Sequence, residues 1–505
     1  MDQSTKQDTI LPGRYQHFKG NEYEVIYLGK HSETLEPMVV YRPLYGEGGI
    51  WIRPASMWNE EIERDGVILK RFKYIGKSSE KSKTENNDFD EKGFLKDLKG
   101  LLRIVSTNGD AGPVTSEAPL GTGINDAINY ILDLGKKFGF KTKNLDGYCG
   151  FIEIGEGEEM MAMLTHVDTV AVGGGWTVPP FDLTRQGDKL FGRGAIDDKG
   201  PTMVSLYAMK ALAEAGSPLS KRIRLIVGGD EEGGEWRCMK RYKATEEIPV
   251  CSFSPDSRYP AIFAEKGLLG VRLEKDLGST TKAMTFFSGN QSNAVPDYAK
   301  AIVEGVIYES KGKSAHSAEP DKGINAIFCL AEKLKSRGIK HPFLDLIKIA
   351  TREGFDIALS DAVSGQLTLN PSIARVDGKR AILECDIRYP VTIDQSIIKE
   401  NISRAVKPLG FSLKIIEEQA PLHVDKESIL IKSLQKVYED YTGDTTGPVT
   451  SGGATYARAF DNAVAFGGRF PGEPNMSHQT DEYWSLESIK KNFDIILKAL
   501  EVLAK

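Results

Sequence analysis

At 505 residues the chain exceeds one ordinary domain, and a hydrophobic content of 40% suits soluble cores. A formal net charge of −6 argues against a broad nucleic-acid-binding surface. No apolar run reaches the about 18 residues of a membrane span, so neither nucleic acid nor membrane is an expected partner.

The opening stretch, 1–15, is polar and lacks the apolar segment of a secretory signal. Cys149, Cys238, Cys251, Cys329 and Cys385 are scattered without CxxC spacing, as reduced thiols are in a cytoplasmic protein. The cytoplasm is therefore the expected compartment.

Residues 11–76 alternate short aromatic-rich strands with Gly and Pro. Examples are Gly13-Arg14-Tyr15-Gln16-His17-Phe18, Met38-Val39-Val40-Tyr41, and Trp51-Ile52-Arg53-Pro54 after the turn Gly46-Glu47-Gly48-Gly49. This pattern predicts a small, mostly β domain whose aromatics pack as core. The stretch resembles a short bacterial domain of uncharacterised function. Residues 77–91 are nearly all polar and read as a linker.

Beyond the linker, helical patterns at 125–138, 202–215, 428–441 and 486–503 alternate with apolar strands such as Met161-Ala162-Met163-Leu164 and Ile223-Arg224-Leu225-Ile226-Val227. That alternation predicts an α/β domain with a helix-covered mixed sheet, its chemistry at the strand ends.

Acids and histidines cluster at those ends. The strand through Leu164 closes in Thr165-His166-Val167-Asp168; residues two apart share a face, so Asp168 can reach the His166 imidazole and fix its tautomer. Gly194-Ala195-Ile196-Asp197-Asp198-Lys199 sets two acids among glycines at the mouth of a helix. Gly228-Gly229-Asp230-Glu231-Glu232-Gly233-Gly234 puts three acids at a strand end, where they repel unless solvated, protonated or bound to metal. Ser254-Pro255-Asp256 and Asn475-Met476-Ser477-His478 complete the set. Two imidazoles and three carboxylates can hold two metal ions about 3.5–4 Å apart, leaving one carboxylate to move a proton.

In order and spacing, these segments resemble the di-zinc family of aminoacylases, glutamate-releasing carboxypeptidases and dipeptidases, most closely its monomeric dipeptidase V type, over roughly residues 92–505. The resemblance implies that His166 and Asp256 bind one zinc, Glu232 and His478 the other, and Asp197 bridges them. Asp197 stands two before Lys199, the family spacing, and is joined to Asp198 by a cis peptide in that family. Glu231 becomes the general base. Manganese or cobalt could replace zinc in such a carboxylate-rich site.

The resemblance also divides the domain into parts 92–266 and 423–505, with an α+β lid over 267–422. The lid signals are Ser292-Asn293-Ala294, Gly312-Lys313-Ser314-Ala315-His316-Ser317, and Cys385-Asp386-Ile387-Arg388-Tyr389-Pro390. His316 is implied as an oxyanion stabiliser, a role worth roughly 3–4 kcal/mol. Asn293 and Arg388 are implied to hold substrate, Arg388 through a planar fork suited to a carboxylate. The lid is longer than a single dimerising βαββαβ unit, so a monomer supplying its own His316 is expected. Ser451-Gly452-Gly453-Ala454 lets backbone amides approach a substrate at Gly452.

The expected function is a metal-dependent dipeptidase acting on short, unblocked peptides. An N-acyl amino acid deacylase or amidase of the same family shares all the metal residues and is the alternative. A non-catalytic relic is disfavoured, because neither the base nor any ligand is missing. Gly-x-Ser-x-Gly, His-Glu-x-x-His and a complete dinucleotide fingerprint are all absent.

Overall fold

The computed structural model describes residues 10–11, 13–44, 49–64, 67–76, 89–278 and 284–505. Most of the expected linker (77–88) and of the turn at Gly46-Glu47-Gly48 lies outside the described residues. The chain forms two units, Met1–Asn87 and Asp88–Lys505.

In the first unit five antiparallel strands lie in the order Trp51–Pro54, Pro37–Pro43, Glu22–Lys30, Gly13–His17, Phe72–Gly76. Only part of the aromatic set packs as core: Tyr15, Tyr41, Trp58 and Phe72 are buried together, with Trp58 stacked on Phe72 at 3.9 Å between ring centroids, whereas Tyr27 and Trp51 face outward and are exposed.

A nine-stranded mixed sheet forms the floor of the second unit. Its centre is parallel: Met160–His166 lies between Arg222–Gly228 and Cys251–Ser254, with Ala463–Ala465 beyond. Every residue of Met160–His166 is buried, the continuous apolar run expected of a strand covered on both faces. Antiparallel strands Cys149–Ile154 and Lys141–Leu145 extend one side. The helices Thr122–Lys137, Lys199–Glu214, Ile429–Thr442 and Leu486–Leu503 fall where the periodicity predicts them. Ser428 and Ser485 cap the last two, accepting from the amides of Ile431 and Ser488.

The inserted unit is a seven-stranded antiparallel sheet in the order Val306–Lys311, Tyr298–Val303, Met284–Ser288, Thr368–Asp377, Arg380–Tyr389, Gly267–Asp276, Ser412–Gln419. The helices Ala326–Ser336, Pro342–Ile349 and Gln395–Val406 share its separate hydrophobic core. The architecture is thus the mixed α/β fold with a small β domain ahead of it that the sequence pattern predicts. Among the described residues, no helix is long and apolar enough to cross a membrane.

Candidate metal centre

Three adjacent parallel strands end at one edge of the floor. His166 closes Met160–His166 in register with Gly228, which opens the acid-bearing loop 229–232 on the neighbouring strand. Cys251–Ser254, on the other side, leads directly into Asp256. Parallel register brings residues 60 to 90 positions apart to the same edge, the usual ligand face of such sheets.

Asp197 lies between the two histidines. Its Oδ1 is 3.2 Å from His166 Nε2 and its Oδ2 is 3.1 Å from His478 Nε2. Asp256 Oδ2 stands 3.4 Å from His166 Nε2, and Glu232 Oε1 is 3.1 Å from His478 Nε2. Glu231 has a carboxylate oxygen close enough to His166 and Asp256 to share an ion with them. The six side chains singled out in the sequence as ligands and base therefore converge.

The neighbouring acid does something else. Asp198, joined to Asp197 by a cis peptide, accepts the backbone N–H of His166 at 3.0 Å and is fully buried. Thr202 donates to the His166 carbonyl at 3.1 Å, so the helix after Asp198 grips the strand end from both sides.

Asp168 organises the other flank. Its Oδ1 lies 3.3 Å from His166 Nδ1, and its backbone carbonyl is 3.0 Å from the same nitrogen. The same carboxylate accepts the amides of Glu231 (3.1 Å) and Glu232 (3.0 Å) and the Asn108 side chain (3.2 Å). Either carbonyl or carboxylate at Nδ1 leaves Nε2 turned towards Asp197 and Asp256.

Electrostatics follow from this crowding. Burial disfavours charge on His478, but Glu232 and Asp197 outweigh it and raise its pKa to about 12. Burial likewise opposes ionisation of Asp197, yet the two histidines hold it well below the usual carboxylate range. Burial, then neighbouring acids, pushes Glu231 and Asp256 upward. The donor set fits divalent cations on one specific observation. His166 Nε2 is buried and makes no hydrogen bond, although two carboxylates stand within 3.4 Å of it. Imidazole nitrogens mixed with carboxylate oxygens suit zinc and its first-row neighbours.

Several supporting residues escaped the sequence reading. Glu482 and Arg193 form a buried ion pair at 2.6 Å. Glu482 also accepts the amides of Gly194 (3.1 Å), Ile196 (2.9 Å) and Asp197 (3.3 Å), shaping the loop that presents Asp197. Glu265 is fully buried, accepts from Thr455 and Arg458, and braces the loop after Gly452. Their partners lie far away in sequence. Asp386 was within reach of a spacing argument: it sits two before Arg388 on one strand, hence on the same face, and pairs with it through two bonds of 2.7 and 2.8 Å.

The lid residues lie over the floor of the same chain. Arg388 Nη1 donates to the Gly452 carbonyl at 3.3 Å. A Cβ added to Gly452 would come within 3.0 Å of Ala318 Cβ, two positions after His316. His316 Nδ1 accepts the Ala318 amide at 3.1 Å, which places the ring proton on Nε2 as a donor. Burial, then Arg388, with His478 also contributing, lowers the His316 pKa and favours this neutral form. The Asn293 carbonyl accepts the Ser317 amide at 2.9 Å, and an Ala294–His316 bridge ties the two lid loops together.

A strand-end histidine, a turn histidine and acids around a cation-demanding centre, roofed by an inserted α+β unit, define a metallopeptidase. Residues 162–502 match the family model described as Peptidase family M20/M25/M40, and the chain belongs to that family. Residues 13–74 match a separate model, a protein family of unknown function (DUF1653). The chain is 36% identical over 457 residues to the Bacillus subtilis protein named "Putative dipeptidase YtjP", covering 82% of this chain and 97% of that one. A Staphylococcus epidermidis protein with the same description, without the gene name, is 33% identical over 82% of this chain and 97% of its own length. Among solved structures, human carnosine dipeptidase 1 superposes with a TM-score of 0.57 at 13% identity, covering 83% of this chain and 97% of that one. The M20 family metallo-carboxypeptidase Sso-CP2 of Sulfolobus solfataricus gives 0.56 at 17% identity, covering 81% and 98%. At these identities the structural likeness establishes the fold.

Proposed function

We propose that the chain is a dipeptidase that hydrolyses short, unblocked peptides with two zinc ions, or manganese or cobalt in their place. The observation that carries this reading is Asp197, held with one oxygen towards His166 and the other towards His478. Relatives described as dipeptidases, and the likeness in fold to carnosine dipeptidase 1, support the substrate class.

In this reading His166 and Asp256 would hold one ion, Glu232 and His478 the other, and Asp197 would serve both. Bound ions would polarise the scissile carbonyl and make the attacking water more acidic. Glu231 takes the water's proton and passes it to the leaving amine nitrogen, a role suited to a carboxyl whose pKa burial has raised. His316 donates its Nε2 proton towards the oxygen on which charge develops. Arg388, presented by Asp386, receives the peptide's terminal carboxylate, with Asn293 and the Gly452 backbone beside it.

Arg388 and Ala318, two positions after His316, reach Gly452 from the same chain, which supports a monomer supplying its own lid. Five free cysteines are consistent with the cytoplasm.

The deciding assay offers free and N-acetylated dipeptides to chelated and zinc-restored protein and measures released amino acids. Zinc-restored cleavage confined to unblocked peptides is expected. Cleavage of blocked substrates alone would move the protein to the deacylases.

A further inference from the structure

Two arginines outside the assigned set stand at the edge of the metal site. Arg258 follows Asp256 by two positions, and Arg469 lies just beyond the strand Ala463–Ala465. They are partners in an isolated parallel bridge. The Arg469 amide donates to the Ser257 carbonyl at 3.3 Å, and the Tyr259 amide donates to the Arg469 carbonyl at 2.8 Å. Partners in a bridge project their side chains to the same side, so the two cationic stems leave the backbone together.

Glycine makes this approach possible. A Cβ on Gly468 would lie 2.8 Å from the Ser257 carbonyl oxygen and 3.0 Å from that of Pro255. One on Gly467 would lie 3.2 Å from Pro255 Cα. The pair lets the segment bearing Arg469 rest on the backbone that presents Asp256.

Like charges opposed in this way cost stability unless something offsets them. Arg258 is exposed and, among the described residues, its side chain donates only to the Thr450 carbonyl, at 3.3 Å, two residues before Gly452. The Arg469 guanidinium is half-buried and makes no hydrogen bond or ion pair with any described residue. The acids that act on it most strongly are Glu473, Asp256 and Asp197. Glu473 is engaged by the Phe470 amide (2.8 Å) and the Ser488 hydroxyl (3.2 Å), and the two aspartates belong to the metal cluster.

We propose that Arg258 and Arg469 form a carboxylate-binding subsite on the rim of the metal centre, and that the enzyme prefers peptides with an acidic side chain. This rests on the dipeptidase reading. Arg388 takes the terminal carboxylate in that reading, so the arginine pair serves a second carboxylate, that of an Asp or Glu residue. Planar guanidiniums match carboxylates through paired N–H donors, and neutral isosteres forfeit that match.

The test compares Glu-Ala with Gln-Ala and Ala-Glu with Ala-Gln on the full-length, zinc-loaded protein. Each pair differs in charge and hardly in shape. One acidic peptide should exceed its amide counterpart by about tenfold or more in kcat/KM, chiefly through KM. Arg469→Gln and Arg258→Gln should each pull that ratio towards unity. If Arg469→Gln proves inactive on every peptide, the exposed Arg258→Gln variant still reports the ratio. Equal rates on acid and amide in the unmodified protein, or a ratio preserved in Arg258→Gln and in any active Arg469→Gln, would overturn the subsite and leave the dipeptidase reading standing. Failure to cleave any of the four, or Ala-Ala, would sink both together.

Discussion

The backbone N–H of Glu231 donates to Asp168 Oδ1 across 3.1 Å. The other oxygen of that carboxylate takes the Glu232 amide, and Oδ1 also lies 3.3 Å from His166 Nδ1. One buried side chain therefore aims the His166 imidazole and two acids of the 229–232 loop at once. Asp168→Asn keeps the shape but sets an amide NH2 against groups that already donate. It should lower zinc affinity or turnover by about 10–100-fold, read by chelator competition and by kcat. Wild-type values for both would remove Asp168 as an organiser.

Glu231→Gln separates proton transfer from metal holding. Turnover should fall by about 10²–10⁴-fold while bound zinc, measured on the purified variant, stays the same. Loss of zinc would instead make Glu231 a ligand, which its proximity to His166 and Asp256 permits.

Asp386 already occupies two donors of Arg388, so its effect on substrate is indirect. Asp386→Ala should raise KM for dipeptides more than it lowers kcat, because a buried fork without its partner is no longer held in position. A pure kcat loss would contradict that assignment. The same change leaves a buried cation unpaired, so a lower thermal midpoint is also expected.

His341 gives the lid a dependence on pH. It caps the helix Pro342–Ile349, its Nδ1 accepting the Phe343 amide at 3.1 Å, while its buried Nε2 has no hydrogen-bond partner among the described residues. Burial lowers its pKa, so the unfolded chain takes up a proton at about pH 6.5 before the folded one does. The stability this histidine contributes is present above that value and is lost as pH falls through it. Protonation would also put a cation at a helix N-terminus, against the dipole. The thermal midpoint of the wild type should therefore drop between neutrality and about pH 5 more steeply than that of His341→Asn, which retains a cap acceptor. Parallel slopes would rule His341 out.

Much of the candidate centre was readable in the chain because four of its five proposed ligands close or follow an apolar strand or precede a helix, while His478 sits in a turn. His166, Asp197, Glu232, Asp256 and His478 advertise themselves through local pattern. Their supports do not. Glu482 and Arg193 meet across 289 positions, and Glu265 meets Thr455 across 190. A buried acid of that kind looks ordinary until the fold delivers its partner. The Arg258–Arg469 bridge is hidden for the same reason, since it exists only once the glycines at 467 and 468 have packed on Pro255 and Ser257. The lid sheet was expected from resemblance, and its seven-strand order depends on long-range pairing that no local period encodes.

The first unit has its own aromatic core, and every residue converging on the metal centre lies in the second. A chain lacking residues 1–87 should fold and hydrolyse dipeptides with unchanged kcat/KM. A large loss would show that the small β domain contributes to the site.

Ala318 rests on Gly452 within one polypeptide, so roof and floor are tethered rather than assembled. Their encounter is governed by a fixed local concentration that dilution cannot reduce. In the proposed monomer, each molecule would carry a full complement of reacting groups. A damaged lid on one copy and a damaged floor on another would have no means of repairing each other.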